Sequence, residues 1–132
     1  MANTYTQLHI HIVFSVKNRE ALIDKSWRVE LEKFMTTTIQ KYDHKLLAIY
    51  AMRDHVHILI GYRPTQLLPD LIEELKTSSN HWIKSKKFTP FAFAWQRGYG
   101  AFTHSKSQIK TVVKYILNQE EHHKKRILEK NF

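Results

Sequence analysis

Two histidines near the middle of the chain, His55 and His57, are spaced so that they could share a ligand. They lie in the sequence Asp54-His55-Val56-His57, which continues into alternating apolar and polar residues. Such alternation predicts a β-strand, where residues i and i+2 project from one face with Cα atoms roughly 6.5–7 Å apart. Two imidazoles at that separation can reach one divalent ion at about 2.1 Å each. The alternative is a pair of partly exposed histidines on an open sheet face.

The same pattern occurs once more, at His9-Ile10-His11. The spacing alone therefore does not identify a metal site. If the strands that carry the two patterns are neighbours in a sheet, both histidine pairs can share one face. His11 would then either support the pair at 55 and 57 or be an ordinary surface residue.

A tyrosine and a glutamine near the end of the chain form the second candidate constellation. Tyr115 and Gln119 are four residues apart, which places their side chains one helical turn from each other. At about 100° per residue, Tyr115 lies roughly 130° from the centre of the apolar stripe of this predicted helix, and Gln119 about 90°. A carboxamide oxygen is a hard ligand suited to a divalent cation. Tyr115 could instead fill the core or its rim, although its angle weakens that interpretation. The apolar stripe comprises Ile109, Val112, Val113, Ile116 and Leu117.

Hydrophobic periodicity predicts the elements that must position these groups. Strands are predicted at residues 4–17, 46–53, 55–62, 91–96 and 99–103, and helices at 26–42, 65–86 and 105–129. Ser26 is predicted to cap the first helix, Pro69 to lie in the first turn of the second, and Ser105 and Gln108 to form a capping box before the third. This order predicts an α+β fold, a ferredoxin-like antiparallel sheet with helices on one face. An extra C-terminal helix then carries the tyrosine.

Composition restricts the class of protein. The chain has 132 residues, which suits a single domain spanning 1–132, and no cysteine, which excludes disulfides, thiolate metal sites and thiol nucleophiles. No signal-peptide pattern and no apolar run of about 20 residues is found, so we expect a soluble cytoplasmic protein without a membrane partner. The excess of 21 Lys+Arg over 12 Asp+Glu gives a charge of +9 and favours a nucleic-acid partner. A basic protein with no polyanion partner is the alternative.

Taken together, these motifs resemble the single-tyrosine HUH transposases of the IS200/IS605 type and the related REP-associated tyrosine transposases. His55-Val56-His57 matches the HUH motif, in which U is apolar, and residues 115–119 match the Tyr-x-x-Asn-Gln pattern of the nucleophile helix. The similarity also includes residues 11–19, 52–57 and 95–99. An HUH motif alone is a weak signal, but its combination with Tyr-x-x-Asn-Gln about 60 residues later is specific.

The resemblance implies a single-stranded DNA transposase that cuts and rejoins one strand through a 5′-phosphotyrosine intermediate. It implies that His55, His57 and Gln119 are metal ligands and that Tyr115 is the nucleophile. The implied cofactor is Mg²⁺ or Mn²⁺, without a nucleotide. The implied partners are single-stranded DNA with hairpins and a second copy of the chain, since the tyrosine helix of one subunit can complete the HUH site of the other.

Among the basic residues, we nominate Lys17 and Arg19 for contact with DNA. His122 and His123 follow the nucleophile motif, and we assign them no role beyond a solvated helix face. Two alternative functions remain open at this stage. One is a domesticated REP-associated nuclease, and the other is a nucleic-acid-binding module that performs no catalysis.

Overall fold

The structure, a computed structural model, describes residues 5–119, which fold into one sheet with three helices. The strands are β1 (His9–Ser15), β2 (Lys45–Ala51), β3 (His55–Gly61) and β4 (Gly100–His104). The helices are α1 (Lys25–Lys41), α2 (Leu68–Lys86) and α3 (Ile109–Leu117). Short 3-10 turns follow β1 at Lys17–Arg19 and precede α3 at Lys106–Gln108. The predicted α+β class is confirmed.

All four strands form an antiparallel sheet in the order β2-β3-β1-β4, which is the predicted ferredoxin-like arrangement. β1 lies between β3 and β4, and its register places Ile12 opposite Ile58 and Val13 opposite His57. Residues that pair directly across two antiparallel strands project to the same side of the sheet. The alternating histidines of β1 and β3 therefore lie on one face, and the alternating isoleucines lie on the other.

The isoleucine face carries the main core. Val56, Ile58 and Ile60 of β3 are fully buried against α1 and α2, together with Ile12 and Phe14 of β1. Both helices contribute fully buried side chains at helical spacing to this core, namely Leu31, Met35 and Ile39 from α1 and Leu71 and Leu75 from α2. The burial of this apolar face fixes β3 so that the alternate residues, His55 and His57, point away from the core.

The ends of the helices follow local chemistry, with one correction. Asp24, rather than Ser26, caps α1, because its carboxylate accepts a hydrogen bond from the Ser26 N–H at 2.9 Å. Pro69 lies in the first turn of α2, as predicted. Ser105 and Gln108 form the predicted capping box, in which the Gln108 side chain accepts a hydrogen bond from the Ser105 N–H at 3.1 Å.

Residues 91–96, predicted to be a strand, do not form one. Trp95 makes an isolated bridge to Val16 at the end of β1. Pairing with β1 is limited to two backbone hydrogen bonds, from the Lys17 N–H to the Ala94 carbonyl oxygen at 2.9 Å and from the Gln96 N–H to the Ser15 carbonyl oxygen at 2.7 Å. Beyond them, the Lys76 ammonium of α2 donates hydrogen bonds to the carbonyl oxygens of Gln96 and Gly98 at 2.8 and 2.6 Å. These carbonyl groups are turned toward the helix, so they are not available to a neighbouring strand.

The third helix packs on the histidine face, against β2 and β3. Ile116 is fully buried there with Leu59 and the small residue Ala48. Leu117, which the predicted stripe included, is instead 50% exposed. The helix meets a narrow strip of the sheet, so one row of side chains is buried and the adjacent row is not.

Residues 1–4 and 120–132 lie outside the described part of the chain. The predicted end of the last helix near 129 and the residues His122 and His123 fall in that part. No helix between residues 5 and 119 is long and apolar enough to cross a lipid bilayer.

Candidate active site

His55 and His57 lie side by side on the histidine face of β3. Their ring centroids are 4.9 Å apart and the rings are inclined at 73°. His57 is 8% exposed, whereas His55 is partly exposed at the end of the strand. The predicted pair is therefore present as a compact group of two imidazoles.

The first imidazole is oriented by the residue that precedes it. Asp54 Oδ1 lies 2.6 Å from His55 Nδ1, and Asp54 Oδ2 lies 3.1 Å from Arg19 Nε. Burial alone would raise the pKa of the Asp54 carboxyl, but the hydrogen bonds and positive charges of His55 and Arg19 outweigh it and hold the pKa below its ordinary value. The carboxylate beside Nδ1 orients the His55 ring, which leaves Nε2 as the nitrogen available for another contact.

The second imidazole is held by a histidine from β1. His57 Nδ1 lies 2.9 Å from His11 Nε2, and the two rings are 5.1 Å apart. Burial, followed by the positive charge of His104, lowers the pKa of His11 to about 4. Near neutral pH, His11 is therefore an uncharged ring with one donor and one acceptor nitrogen. Of the two interpretations of His11, the structure selects a residue in contact with the histidine pair.

The predicted nucleophile lies beside this pair in the same chain. The Tyr115 ring is 6.3 Å from the His57 ring and meets it edge-on, at 86°. Tyr115 is half-buried at the margin of the α3 contact with the sheet. Two segments distant in sequence thus bring a phenol and two imidazoles together.

Gln119 lies one turn further along and is 6% exposed. Its Nε2 donates a hydrogen bond to the Tyr115 carbonyl oxygen at 3.1 Å, so the carboxamide is held at the end of its own helix. Among residues 5–119, no group of three or more His, Cys, Asp or Glu side chains could hold a metal ion. A metal at the histidine pair would therefore need a ligand of another type.

The donor set fits a divalent ion on chemical grounds. Both imidazoles are anchored through Nδ1, by Asp54 and His11, so each directs Nε2 as the candidate ligand atom. Anchoring of one ring nitrogen by a carboxylate or another acceptor is the usual support for a metal-binding histidine. In Gln119, Nε2 makes the helix hydrogen bond, and Oε1 is the atom suited to a cation.

The two nominated cations lie in the 3-10 turn after β1. Arg19 is exposed and touches Asp54, while Lys17 is exposed to solvent. Asn18 and Arg19 both have positive φ angles, 59° and 56°. The Asn18 N–H donates to Gln96 Oε1 at 3.0 Å, which ties this turn to the segment before β4.

Sequence comparison gives the family. The profile of the family described as "Transposase IS200 like" matches residues 4–119, which is most of the chain. The chain belongs to the IS200-like transposase family. This confirms the family resemblance drawn from the histidine and tyrosine motifs, and it assigns the chain to proteins that cut and transfer DNA.

Individual relatives agree with this assignment. The chain is 24% identical over 120 residues to the ISDra2 transposase TnpA of Deinococcus radiodurans, with 87% of this chain and 86% of that protein covered. A crystal structure of a putative transposase from Deinococcus radiodurans R1 superposes with a TM-score of 0.72 at 24% identity, covering 90% of this chain and 95% of that one. A REP-associated tyrosine transposase bound to a REP hairpin superposes with a TM-score of 0.69 at 13% identity, covering 93% and 73%. At these identities, the two structures show a shared fold.

Sequence reasoning missed the partner of His55. Asp54 lies in the turn between β2 and β3, and its carboxylate also orients the imidazole. The available signal was its position directly before the histidine pair. An acidic residue next to a candidate metal-binding histidine is worth testing as its hydrogen-bond acceptor.

Proposed function

We propose that the chain, as a single HUH-type domain over residues 1–132, is a single-stranded DNA transposase that cuts and rejoins one strand through a covalent bond to Tyr115. One observation supports this most directly. The phenol of Tyr115 lies beside His57, with ring centroids 6.3 Å apart, while both imidazoles of the HUH pair are anchored through Nδ1. Membership in the IS200-like family supports the same reaction class.

In the proposed cleavage step, Tyr115 Oη attacks the phosphorus of one phosphodiester. The new O–P bond forms as the bond from phosphorus to the 3′ oxygen breaks, which gives a 5′-phosphotyrosine and a 3′-hydroxyl. The phenol loses its proton to solvent, and the departing 3′ oxygen takes one up. Since one phosphate ester replaces another, the reverse step can rejoin a strand without a nucleotide cofactor.

His55, His57 and Gln119 are the residues that would hold a divalent cation, Mg²⁺ or Mn²⁺. Such a cation supplies charge stabilisation at the phosphate oxygens. The protein residues orient the site: Asp54 and His11 fix the two rings, and α3 presents Tyr115 to them. Three neutral ligands leave the site electropositive, which favours a phosphate over a neutral substrate.

The proposed substrate is single-stranded DNA with hairpins near the cleavage sites. The charge of +9 supports a polyanionic partner, and the solved REP-associated transposase is described as bound to a REP hairpin. Lys17 and Arg19 are the proposed contacts to the DNA backbone, because they are exposed on the turn next to Asp54 and His55. A cytoplasmic location fits this substrate.

The test is covalent capture of a labelled single strand that carries the ends of the element. Incubation with Mg²⁺ or Mn²⁺ should give a phenol-resistant protein–DNA adduct, and Tyr115→Phe should abolish it. Tyr5→Phe is the matched control, since Tyr5 is exposed and far along the chain from the site, and it should keep the adduct. DNA binding without any adduct, under either metal, would instead identify a binding module that performs no catalysis.

A homodimer is part of the proposal, and subunit mixing tests whether its active sites are shared. Within one chain Tyr115 already lies next to His57, so we expect each subunit to use its own tyrosine. Mixed dimers of Tyr115→Phe and His57→Ala subunits should then form no adduct. Recovery of the adduct on mixing would show that α3 is exchanged between subunits.

A further inference from the structure

A cleft outside the HUH site lies between α2 and residues 94–99, the segment before β4 (the 94–99 loop). Its volume is about 430 Å³, within the size range of small-molecule sites. The lining side chains include two aromatic residues, two cations, a carboxylate and a carboxamide: Trp95, Tyr99, Lys76, Arg97, Glu73 and Asn80. None of these residues is used in the chemistry proposed above.

The 94–99 loop is held in a fixed shape. The Lys76 ammonium donates hydrogen bonds to the carbonyl oxygens of Gln96 and Gly98. The Gln96 N–H donates to the Ser15 carbonyl oxygen at 2.7 Å, and Gly98 has a φ of 82°, which residues with a side chain rarely adopt. The wall of the cleft is therefore preformed rather than a flexible surface segment.

The Trp95 side chain is held in place by contacts with core residues. Its Nε1 donates to Ser79 Oγ at 3.0 Å, and its ring makes edge contacts with Phe14 and Phe93 at 4.9 Å each. The indole remains partly exposed on the side that lines the cleft. A rigid, half-exposed aromatic ring is suited to stacking with a flat ligand, because little entropy is lost on binding.

Other groups in the cleft have unused binding capacity. Arg97 and Tyr99 are exposed and form no hydrogen bond or ion pair with any residue from 5 to 119. The Asn80 Oδ1 is buried and has no hydrogen-bond partner within the same part of the chain. Glu73 adds a carboxylate acceptor at the mouth. Aromatic faces, one free guanidinium and two acceptors match a nucleobase with its phosphate better than a bare phosphate.

The cleft and the HUH pair both lie near the end of β1, on opposite faces of the sheet. Val16 pairs with Trp95, and the preceding residue, Ser15, pairs with His55. A single DNA strand that occupies both sites would therefore pass around the end of β1.

We propose that this cleft binds one unpaired base of the single-stranded DNA substrate, stacked against Trp95 and Tyr99, with the adjacent phosphate on Arg97. The proposal rests on the proposed function, because it names a recognition site for the same strand. Glu73 is placed at the mouth to accept a hydrogen bond from an N–H on the edge of the base. The remaining charge of the chain contributes to affinity for the backbone without discriminating among bases.

Binding without cleavage tests the cleft. A fluorescein-labelled oligothymidine of about 12 nucleotides, within the range of single-strand sites, is titrated with the full chain in EDTA. Tyr99→Ala and Arg97→Ala should each raise the dissociation constant about tenfold. The matched controls, Phe91→Ala for an exposed aromatic residue and Lys84→Ala for an exposed cation, lie outside the cleft and should change it by less than about twofold.

Two further measurements locate the base. With an abasic strand of the same length, Tyr99→Ala should bind as well as the unaltered chain, since no base is present to stack. A strand with one 5-iodouracil should photo-cross-link to the peptide that contains residues 94–99. Cross-links confined to other peptides, or losses in Tyr99→Ala and Arg97→Ala no larger than in the controls, would overturn the proposal.

The outcome is independent of the covalent test. Binding is measured without metal, and adduct formation is measured with metal on the unaltered chain. A functional cleft with no adduct under any metal would refute the proposed transposase chemistry and leave the cleft intact. An adduct, together with no effect of the cleft substitutions on DNA binding, would refute the cleft and support the transposase chemistry.

Discussion

The two faces of the sheet are built from adjacent residues and have opposite properties. On one face, Val56, Ile58 and Ile60 are fully buried under α1 and α2. On the other, His55 and His57 lie beside the shorter α3, in contact with a carboxylate, a third histidine and a tyrosine. In β3, one set of alternate side chains therefore packs in the core and stabilises the fold, and the other set forms the candidate active site.

The difference shows how the site is held in place. The isoleucine face supplies the rigid support, because closely packed apolar side chains leave the strand no alternative register. The histidine face then needs only hydrogen bonds to fix two rings. If this division is correct, substitutions on the isoleucine face should lower the free energy of unfolding, and substitutions on the histidine face should lower activity.

The largest expected contrast is between two neighbouring residues, His57 and Ile58. His57→Ala should lower the rate of adduct formation by about 10³-fold or more, since loss of a proposed metal ligand would remove several kcal/mol of charge stabilisation. Ile58→Ala should cost about 2–5 kcal/mol of unfolding free energy, because it leaves a cavity in the main core. Urea unfolding and adduct kinetics on both variants check this. Equal loss of stability in the two variants would contradict the division between faces.

The next contrast concerns how α3 is docked. Ile116→Ala should cost about 2–4 kcal/mol, because the side chain is fully buried against Ala48 and Leu59. Leu117→Ala should change stability by less than about 0.5 kcal/mol, since that side chain is half exposed. Thermal and urea denaturation measure both. A similar cost for the two would show that α3 buries the wider stripe predicted from the sequence.

A smaller effect is expected at the hydrogen bond that orients His55. Asp54→Asn removes the negative charge facing Nδ1 and should weaken Mn²⁺ binding about tenfold, as measured by calorimetry. Asp43→Asn removes the same charge at an exposed position with a φ of 66°, which asparagine tolerates, and should leave Mn²⁺ affinity unchanged. An equal loss in both would indicate a general charge effect in place of a positioning role for Asp54.

The smallest predicted effect lies on the core side, at Glu32. Its carboxylate accepts the Ala51 N–H at 2.9 Å, and burial raises its pKa, although that hydrogen bond and Arg28 act in the opposite direction. The folded chain thus holds this proton more tightly than the unfolded chain does. The contribution of Glu32 to stability should therefore fall as the pH rises from the unfolded pKa of 4.5 through the raised folded value.

Glu32→Gln keeps the acceptor and removes the titration, so it should make stability less dependent on pH as the pH rises above 4.5. Urea unfolding at a series of pH values measures this. Glu30→Gln, on the exposed side of α1, should keep the pH dependence of the unaltered chain. An unchanged slope in Glu32→Gln would refute the assignment.

Much of this arrangement could be predicted from local patterns. Alternation placed the two histidines of β3 on one face, and Pro69 marked the start of α2. Local patterns failed where distant groups compete for the same backbone. Residues 91–96 have the composition of a strand, but they pair with the end of β1 only around Trp95, and the Gln96 carbonyl oxygen accepts a hydrogen bond from Lys76 of α2.

The candidate site divides in the same way. The motif spacing pointed to His55, His57, Tyr115 and Gln119, and their roles stay predictions until metal and DNA are tested. Leu117 was wrongly assigned to the buried stripe, because periodicity does not say how wide a strip of sheet the helix will meet. Only the docked helix shows that Ile116 alone in α3 is fully buried against the small side chain of Ala48.

By itself, the sequence determined which residues share a strand face and which share a helix turn, because those periods are properties of a few neighbouring peptide units. The tertiary structure decided which of these faces meet. His11 contacts His57 across 46 residues of chain, and α3 brings Tyr115 to the same place. Contacts of that kind form only when burial of apolar surface elsewhere offsets the entropic cost of closing long loops. They therefore cannot be predicted from a short stretch of sequence.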